Sequence, residues 1–291
     1  MKVLIAGWFS FEQMGATAGD LISSDVVASW LKAGGIAFDM ALASPFSGGM
    51  DWKCLNASDY SHIFFICGPC GNGEPLTQFL EHFDCCRKIG LNLSMLDPLE
   101  TWNPFDLLIE RDSNHRTNPD LTFLSVTKNV PVVGVIQVEP QKEYKNRALH
   151  QKANDAIDSL LKNKPSVLVQ IDTRLDENRT GLRTASEIES LISKMDLVVT
   201  TRLHGTVLAI QNGVPALAID PIAGGAKLKK QTETIGWPVI FTADDLDQKD
   251  LSNAFDFCCS QDARDLTKIC NENAQQALIG IKMQIFKELN M

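Results

Sequence analysis

Apolar and polar positions follow two rhythms along this chain. Short apolar runs, KVLIAG (2–7), AFDMALA (37–43) and HIFFIC (62–67), predict strands. Between them apolar residues return every three or four positions, which predicts helices. Ile22, Val26, Val27, Trp30 and Leu31 share one face of the first helix. In the second, Leu76, Phe79, Leu80 and Phe83 recur at i, i+3, i+4 and i+7. Pro75 stands at its first position and Gly90 is expected to end it. LNLSML (91–96) and DLLIERD (106–112) are further strand candidates.

The rhythm restarts near residue 128. VPVVGVIQV (130–138) predicts a strand, roughly 144 to 162 a helix, and SVLVQID (166–172) a strand. Thr184-x-x-Glu187 is a capping box that opens the next helix. MDLVVTT (195–201) predicts a strand, RLHGTVLAIQNG (202–213) a short helix closed by Gly213, and VPALAID (214–220) a strand. From about Asp245 onward the pattern is helical throughout.

Strands alternating with helices predict an α/β fold with mainly parallel sheets. Two Rossmann-like domains are expected, 1–125 and 126–291, joined through the polar SNHRTNPD (113–120). The last helix is expected to pack back on the N-terminal domain. Ligands of such sheets bind beyond the C-terminal ends of the strands. The expected site is therefore a cleft across which the two domains face each other.

Composition narrows the partners. Net charge is −9 and no lysine or arginine run of five or more occurs, which argues against nucleic acid or an anionic membrane surface. The opening MKVLIAG is shorter than the apolar core of a signal peptide and reads as a strand. No stretch approaches the roughly 18 apolar residues of a membrane span. The eight cysteines include the adjacent pairs Cys85-Cys86 and Cys258-Cys259 in helix-like segments. They read as reduced thiols of a cytoplasmic protein.

Chemistry concentrates in two places. In TTRLHG (200–205) an apolar strand runs straight into a helix. Thr201 is the expected N-cap, with Arg202 and His204 in the first turn and Leu203 turned into the core. Free N–H groups at a helix start favour an anion, and arginine adds a planar fork for phosphate or carboxylate. A histidine there suits proton transfer.

The second place is CGPCGNGEP (67–75). Cys67-Gly-Pro-Cys70 is the tetrapeptide of thioredoxins, and it is also half of a zinc site that His82 and Cys86 would complete. The reading preferred here is a backbone cradle. Gly68, Gly71 and Gly73 let the chain approach a ligand, the cysteines fill space, and Glu74 is a candidate ligand contact.

The residues from 196 to 220 resemble the C-terminal signature of the polysaccharide pyruvyl transferase family, in which Asp-apolar-apolar leads to Arg-Leu-His, a helix, Gly-Val-Pro and a strand. Other segments agree in order: Gly19-Asp20 after the first strand, the glycine-bearing loop at 67–73, Arg111-Asp112, Pro119-Asp120, and Lys227 after Asp220. The resemblance covers roughly residues 1 to 240. This chain departs from the pattern in having Ala18 before Gly-Asp and cysteines and a proline within the glycine loop.

The resemblance implies a glycosyltransferase-B-like fold and transfer of the enolpyruvyl unit of phosphoenolpyruvate to a sugar or glycan. Phosphoenolpyruvate is then a co-substrate and no further cofactor is needed. Arg202 and Arg111 are the expected anion anchors, with Lys227 a third. His204 is the candidate acid or base. Asp20 either handles the acceptor hydroxyl or is an ordinary helix N-cap. Thr201, Leu203, Gly205 and Gly19 complete the expected binding set. A nucleotide-sugar glycosyltransferase and a non-catalytic anion-binding relative are the alternatives. Arg174, Arg179 and Arg183 either line the cleft or are solvated loop charges. Trp8, Trp52 and Trp102 are expected to pack in the core or at its rim.

Overall fold

Continuous apolar runs can be buried on both faces only if helices cover both faces, and that is how β1 (Lys2–Gly7) is used. Its Leu4 and Ala6 join one core with Phe65, Leu76, Phe79 and Phe83. Its Val3 and Ile5 point the other way, into a second core with Val27 and Leu31. The computed structural model describes residues 1–139 and 146–289. The chain divides into two units, Met1–Lys128 and Asn129–Met291.

In the first unit β1 is followed by α1 (Ala18–Ala33), β2 (Ala37–Met40), β3 (His62–Ile66), β4 (Pro69–Cys70), α2 (Leu76–His82), β5 (Arg87–Leu91), β6 (Ser94–Met95) and β7 (Leu107–Ile109). The main sheet runs β2-β1-β3-β5-β7 and all its pairs are parallel. A two-strand ladder, β4 with β6, sits beside it.

The second unit holds β8 (Val132–Ile136), α3 (His150–Lys162), β9 (Val167–Gln170), α4 (Ala185–Ile192), β10 (Leu197–Thr200), α5 (Leu203–Gln211), β11 (Ala216–Asp220), α6 (Lys227–Ile235), β12 (Ile240–Thr242), α7 (Gln248–Cys258) and α8 (Gln261–Glu288). Its sheet runs β12-β11-β10-β8-β9, again all parallel. Numbered within each unit, both sheets have the order 2-1-3-4-5. In each the winding reverses between the first and third strands, and that is where a doubly wound sheet opens a crevice. The α/β class, the parallel sheets and the helical C-terminus are as expected.

Several local expectations need correction. Gly90 does not end a helix. α2 stops at His82, and Gly90 lies inside β5, where a Cβ would come within 2.9 Å of Leu93, Phe105 and Leu108. Trp30 is 47% exposed, so the buried stripe of α1 is Val26, Val27 and Leu31. LNLSML yields only the end of β5 and the two residues of β6. The helix expected from about 144 begins at His150, and positions 144 and 145 lie outside the described residues. The capping box of α4 forms: the Thr184 hydroxyl accepts the Glu187 N–H at 3.2 Å and Glu187 returns to the Thr184 N–H at 2.8 Å. Among the described residues no helix is long and apolar enough to cross a membrane.

Candidate functional site

The crevice of the second unit is a cavity of about 320 Å³. Two threonines at the end of β10 fix its geometry. The Thr200 hydroxyl donates to the Ile136 carbonyl at 2.8 Å and accepts the Arg202 N–H at 2.9 Å. The Thr201 hydroxyl accepts the Val138 N–H at 2.9 Å. Thr201 is thus spent on tying β10 to the chain after β8 and is not the N-cap. Arg202 takes that position, with no side-chain cap bond. Gly205 lets the helix sit against the strand end, since a Cβ there would lie 2.4 Å from Thr200 Oγ1.

The Arg202 guanidinium reaches Thr173 Oγ1 at 2.9 Å and lies 3.6 Å from Asp172 Oδ1. Burial draws its pKa down, and Asp172 opposes that. Leu203 lines the cavity and is half-buried, a correction to its expected place in the core. It opens α5 beside the charged groups, so its side chain becomes cavity wall. His204 is exposed at the cavity edge. Lys227 lies on the same wall and makes no ion pair among the described residues. It is the first residue of α6.

Asp220 explains why the segment carrying Lys227 holds its shape. Asp220 is 1% exposed. Its carboxylate accepts the N–H groups of Ile222 at 3.1 Å, Ala226 at 2.7 Å and Lys229 at 3.0 Å. From outside, the Leu149 N–H donates to the Pro221 carbonyl at 2.7 Å and the Arg147 guanidinium to the Ala223 carbonyl at 2.7 Å.

The crevice of the first unit is a cavity of about 380 Å³ beyond β1 and β3. Gly19, Asp20, Gly68 and Arg111 meet there, with Trp8 and Asp120. Asp20 is not an N-cap. It is the third residue of α1 and reaches back to the N-cap Thr17, accepting its N–H and its hydroxyl, each at 2.7 Å. Arg111 donates to two carboxylates, Asp112 at 3.0 Å and Asp120 at 3.1 Å, and to the Ser94 hydroxyl. The bonds to Asp112 and then Asp120 push its pKa up against the effect of burial. Burial would raise Asp120, but hydrogen bonds from Thr122, Arg111 and Asn92 outweigh it and hold the carboxyl low. Two carboxylates and one already paired guanidinium therefore face this cavity.

Gly68 has φ +85°, and a Cβ on it would lie 2.2 Å from Trp8 Cδ1. The group that approaches its backbone is the Trp8 indole, whose Nε1–H donates to the Pro69 carbonyl at 2.9 Å. Trp52 is buried and Trp8 packs at the rim of the same core, as expected, and Trp8 also forms cavity wall. Gly71 and Gly73 line neither crevice. Glu74 borders a neighbouring pocket and caps the start of α2, accepting the Thr77 hydroxyl at 2.7 Å and the Gln78 N–H at 3.2 Å.

The cysteines of the loop are buried. Burial raises both thiols, Cys70 to about 12, so the thiolate that redox exchange needs is disfavoured. The zinc site conceived with His82 and Cys86 does not form. His82 Nε2 bonds the Leu55 carbonyl at 2.9 Å and the Cys86 thiol donates to the Tyr60 carbonyl at 3.2 Å. Among the described residues no group of three or more His, Cys, Asp or Glu side chains is placed to hold a metal.

Asp172, Thr173 and Asp220 are site residues that the sequence reading did not assign. A signal existed for all three, since each follows or ends an apolar run, at the strand ends where crevices form. Arg174 does line the cavity, but it is paired with Asp176 at 2.7 Å and Glu177 at 3.3 Å.

Strand order and charge define a two-unit α/β protein with a cationic crevice at a helix start. Residues 107–221 match the family model for polysaccharide pyruvyl transferase, which places the chain among the transferases. The family resemblance thus holds over that segment. A comparison with curated proteins finds no match. Similar solved structures include the UDP-GlcNAc 2-epimerase from Methanocaldococcus jannaschii, at 9% identity and TM-score 0.34 over 96% of this chain and 100% of that one. They also include the spinosyn forosaminyltransferase SpnP, at 10% identity and TM-score 0.33 over 94% and 95%. MurG from Acinetobacter baumannii is similar at 13% identity and TM-score 0.30 over 94% of each chain. The fold assignment rests on the chain's own strand order and not on these likenesses.

Proposed function

We propose that the protein transfers the enolpyruvyl group of phosphoenolpyruvate to two hydroxyls of a sugar or glycan, forming a pyruvate ketal and releasing phosphate. The observation that carries this reading is the joining of Arg202 and His204, which lie within the segment that matches the family, with Lys227, just beyond it, in one crevice at the start of α5.

Phosphoenolpyruvate presents a phosphate and a carboxylate, and the crevice offers two cations and the free N–H groups of a helix start for them. In the reaction a proton joins the methylene carbon, and positive charge gathers on the neighbouring carbon. One acceptor oxygen bonds to that carbon and loses its proton. The second acceptor oxygen bonds as the carbon–oxygen bond to phosphate breaks. One hydroxyl proton is accounted for in the new methyl group and the other leaves with phosphate. His204 serves as the acid or the base. The first unit's crevice, rich in carboxylates and walled by Trp8, suits sugar hydroxyls rather than an anion. Asp20 and Asp120 act there as acceptors of hydroxyl protons in hydrogen bonds.

The test is phosphate release from phosphoenolpyruvate in the presence of candidate glycans, with phosphoenolpyruvate binding measured by calorimetry. Release with at least one acceptor, and loss of binding in Arg202→Ala, is the expected result. No release with any acceptor and no binding to the wild type overturns the reading. Thermal stabilisation by nucleoside diphosphates but not by phosphoenolpyruvate would select the nucleotide-sugar alternative.

A further inference from the structure

Beside the crevice of the second unit lies another cavity of about 320 Å³, beyond the ends of β8 and β9. Arg174 and Arg202 border both, so two guanidiniums stand in the wall between them. Burial lowers the pKa of Arg202 most, and the charge of Arg174 lowers it further. Two like charges side by side repel, and an anion set against both relieves that repulsion.

The two guanidiniums are held differently. Arg202 is braced by Thr173 and Asp172, which the fold keeps in place. For Arg174 the main chain is what is fixed. Its N–H donates to Asp172 Oδ1 at 3.0 Å, and its carbonyl accepts the Asn178 side-chain amide at 2.6 Å. The side chain forms a fork with Asp176, Nε at 3.0 Å and Nη2 at 2.7 Å, and reaches Glu177 at 3.3 Å. Glu139 lies 3.7 Å away and is also paired with Arg179. The side chains of Asp176 and Glu177 are 71% and 78% exposed. Ion pairs so open to water hold weakly. Rotation about the side-chain bonds of Arg174 frees its guanidinium without moving the loop.

Charge gives that rotation a purpose. Phosphoenolpyruvate carries about three negative charges near neutral pH, one on the carboxylate and up to two on the phosphate. Arg202 and Lys227 offer one positive charge each, and Asp172 already takes a share of the first. Asp220 lines the crevice too, but its carboxylate is spent on three backbone N–H groups. Roughly one negative charge of the ligand is left without a partner, and a concave site offers little solvent to replace one.

We infer that Arg174 is a third anion anchor held in reserve: Asp176 and Glu177 detain its guanidinium, which exchanges them for the anion that enters the crevice. This rests on the reading of that crevice as the phosphoenolpyruvate site and adds a control on it. The two acids and the ligand compete for one guanidinium, so Asp176 and Glu177 set how tightly the anion is held.

The experiment measures binding of phosphoenolpyruvate and of inorganic pyrophosphate to the full chain by calorimetry. Arg174→Ala should raise the dissociation constant about tenfold or more, as a lost hydrogen-bonded charge pair does. Asp176→Asn combined with Glu177→Gln should lower it severalfold, since exposed pairs of this kind no longer compete. A guanidinium that only braced the loop would predict weaker binding from either change, so the opposite signs separate the two roles. An unchanged constant in Arg174→Ala, or no gain in the double variant, with whichever ligand binds, overturns the inference. If phosphoenolpyruvate binds in that case, the proposed function stands without it. If pyrophosphate shows the expected pattern of signs and phosphoenolpyruvate does not bind, the proposed function falls and the role of Arg174 stands. If neither anion binds to the wild type, both fall.

Discussion

The Arg202 guanidinium and the Thr173 hydroxyl meet at 2.9 Å, joining the loop after β9 to the start of α5. Thr173 is thus a positioning residue: it fixes one prong of the arginine and leaves the remaining donors for the anion. Thr173→Val keeps the shape and removes the bond. A hydrogen bond to a charged group is worth about 1.5–3 kcal/mol, so the dissociation constant for phosphoenolpyruvate should rise about tenfold or more. Calorimetry reads this directly, and an unchanged constant would show that Arg202 needs no such support.

Asp220 concentrates three backbone hydrogen bonds on one buried carboxylate. Asp220→Ala leaves those N–H groups without their partner and loosens the segment that carries Lys227. The expected loss is about 2–4 kcal/mol, from one to three unsatisfied groups partly rescued by water. Thermal unfolding should shift down, and hydrogen exchange should rise at Ile222, Ala226 and Lys229 before it rises in the sheet.

Gly68→Ala places a methyl group where the Trp8 indole now lies. The indole must move, the 2.9 Å bond to the Pro69 carbonyl breaks, and the positive φ becomes strained. A destabilisation of about 2 kcal/mol or more is expected from strain and lost packing together. Tryptophan fluorescence should shift with the indole's new surroundings, and sugar binding in that crevice should weaken.

Cys70 makes a prediction about alkaline pH. Burial raises its thiol from the ordinary value of 9.0 to about 12. The folded state therefore holds the proton more tightly than the unfolded state. The contribution is fully present below pH 9 and is lost as pH rises toward 12. Cys70→Ala should flatten the decline in stability across that window. At neutral pH iodoacetamide should label the exposed Cys54, Cys85 and Cys259 well before Cys67 or Cys70. Labelling in the opposite order would revive the redox reading of the tetrapeptide.

His150 gives the opposite sign at acid pH. It is 4% exposed, and neither ring nitrogen has a hydrogen-bond partner among the described residues. Burial lowers its pKa, with Asp220 opposing. Its share of stability is present above the ordinary value of 6.5 and is lost as pH falls below it. His150→Phe should remove that acid sensitivity, measured as unfolding midpoint against pH.

Some of this architecture was legible in the chain and some was not. The stripe Leu76, Phe79, Leu80, Phe83 and the box Thr184–Glu187 are local, with each partner within a turn or two, so periodicity and capping rules reach them. Gly90 defeats such rules because the atoms that require it belong to Leu93, Phe105 and Leu108, gathered by strand pairing. Thr201 was misread for the same reason: its hydroxyl is claimed by Val138, 63 positions away. Arg111 reads from the sequence as an anion anchor, but Ser94 from β6 and Asp120 from the chain beyond β7 are bonded to it. The Arg-Leu-His motif was readable because a strand end, an arginine and a helix start are contiguous.

The shared 2-1-3-4-5 winding also bears on how such a protein can change over time. In each unit the crevice is a by-product of strand order, and its lining comes from short connecting segments. Substitutions near Trp8 and Asp20 can therefore reshape one crevice without touching Arg202 and Lys227, or the reverse. The two linings are thus carried by separate segments of the chain, so a change in one leaves the side chains of the other in place.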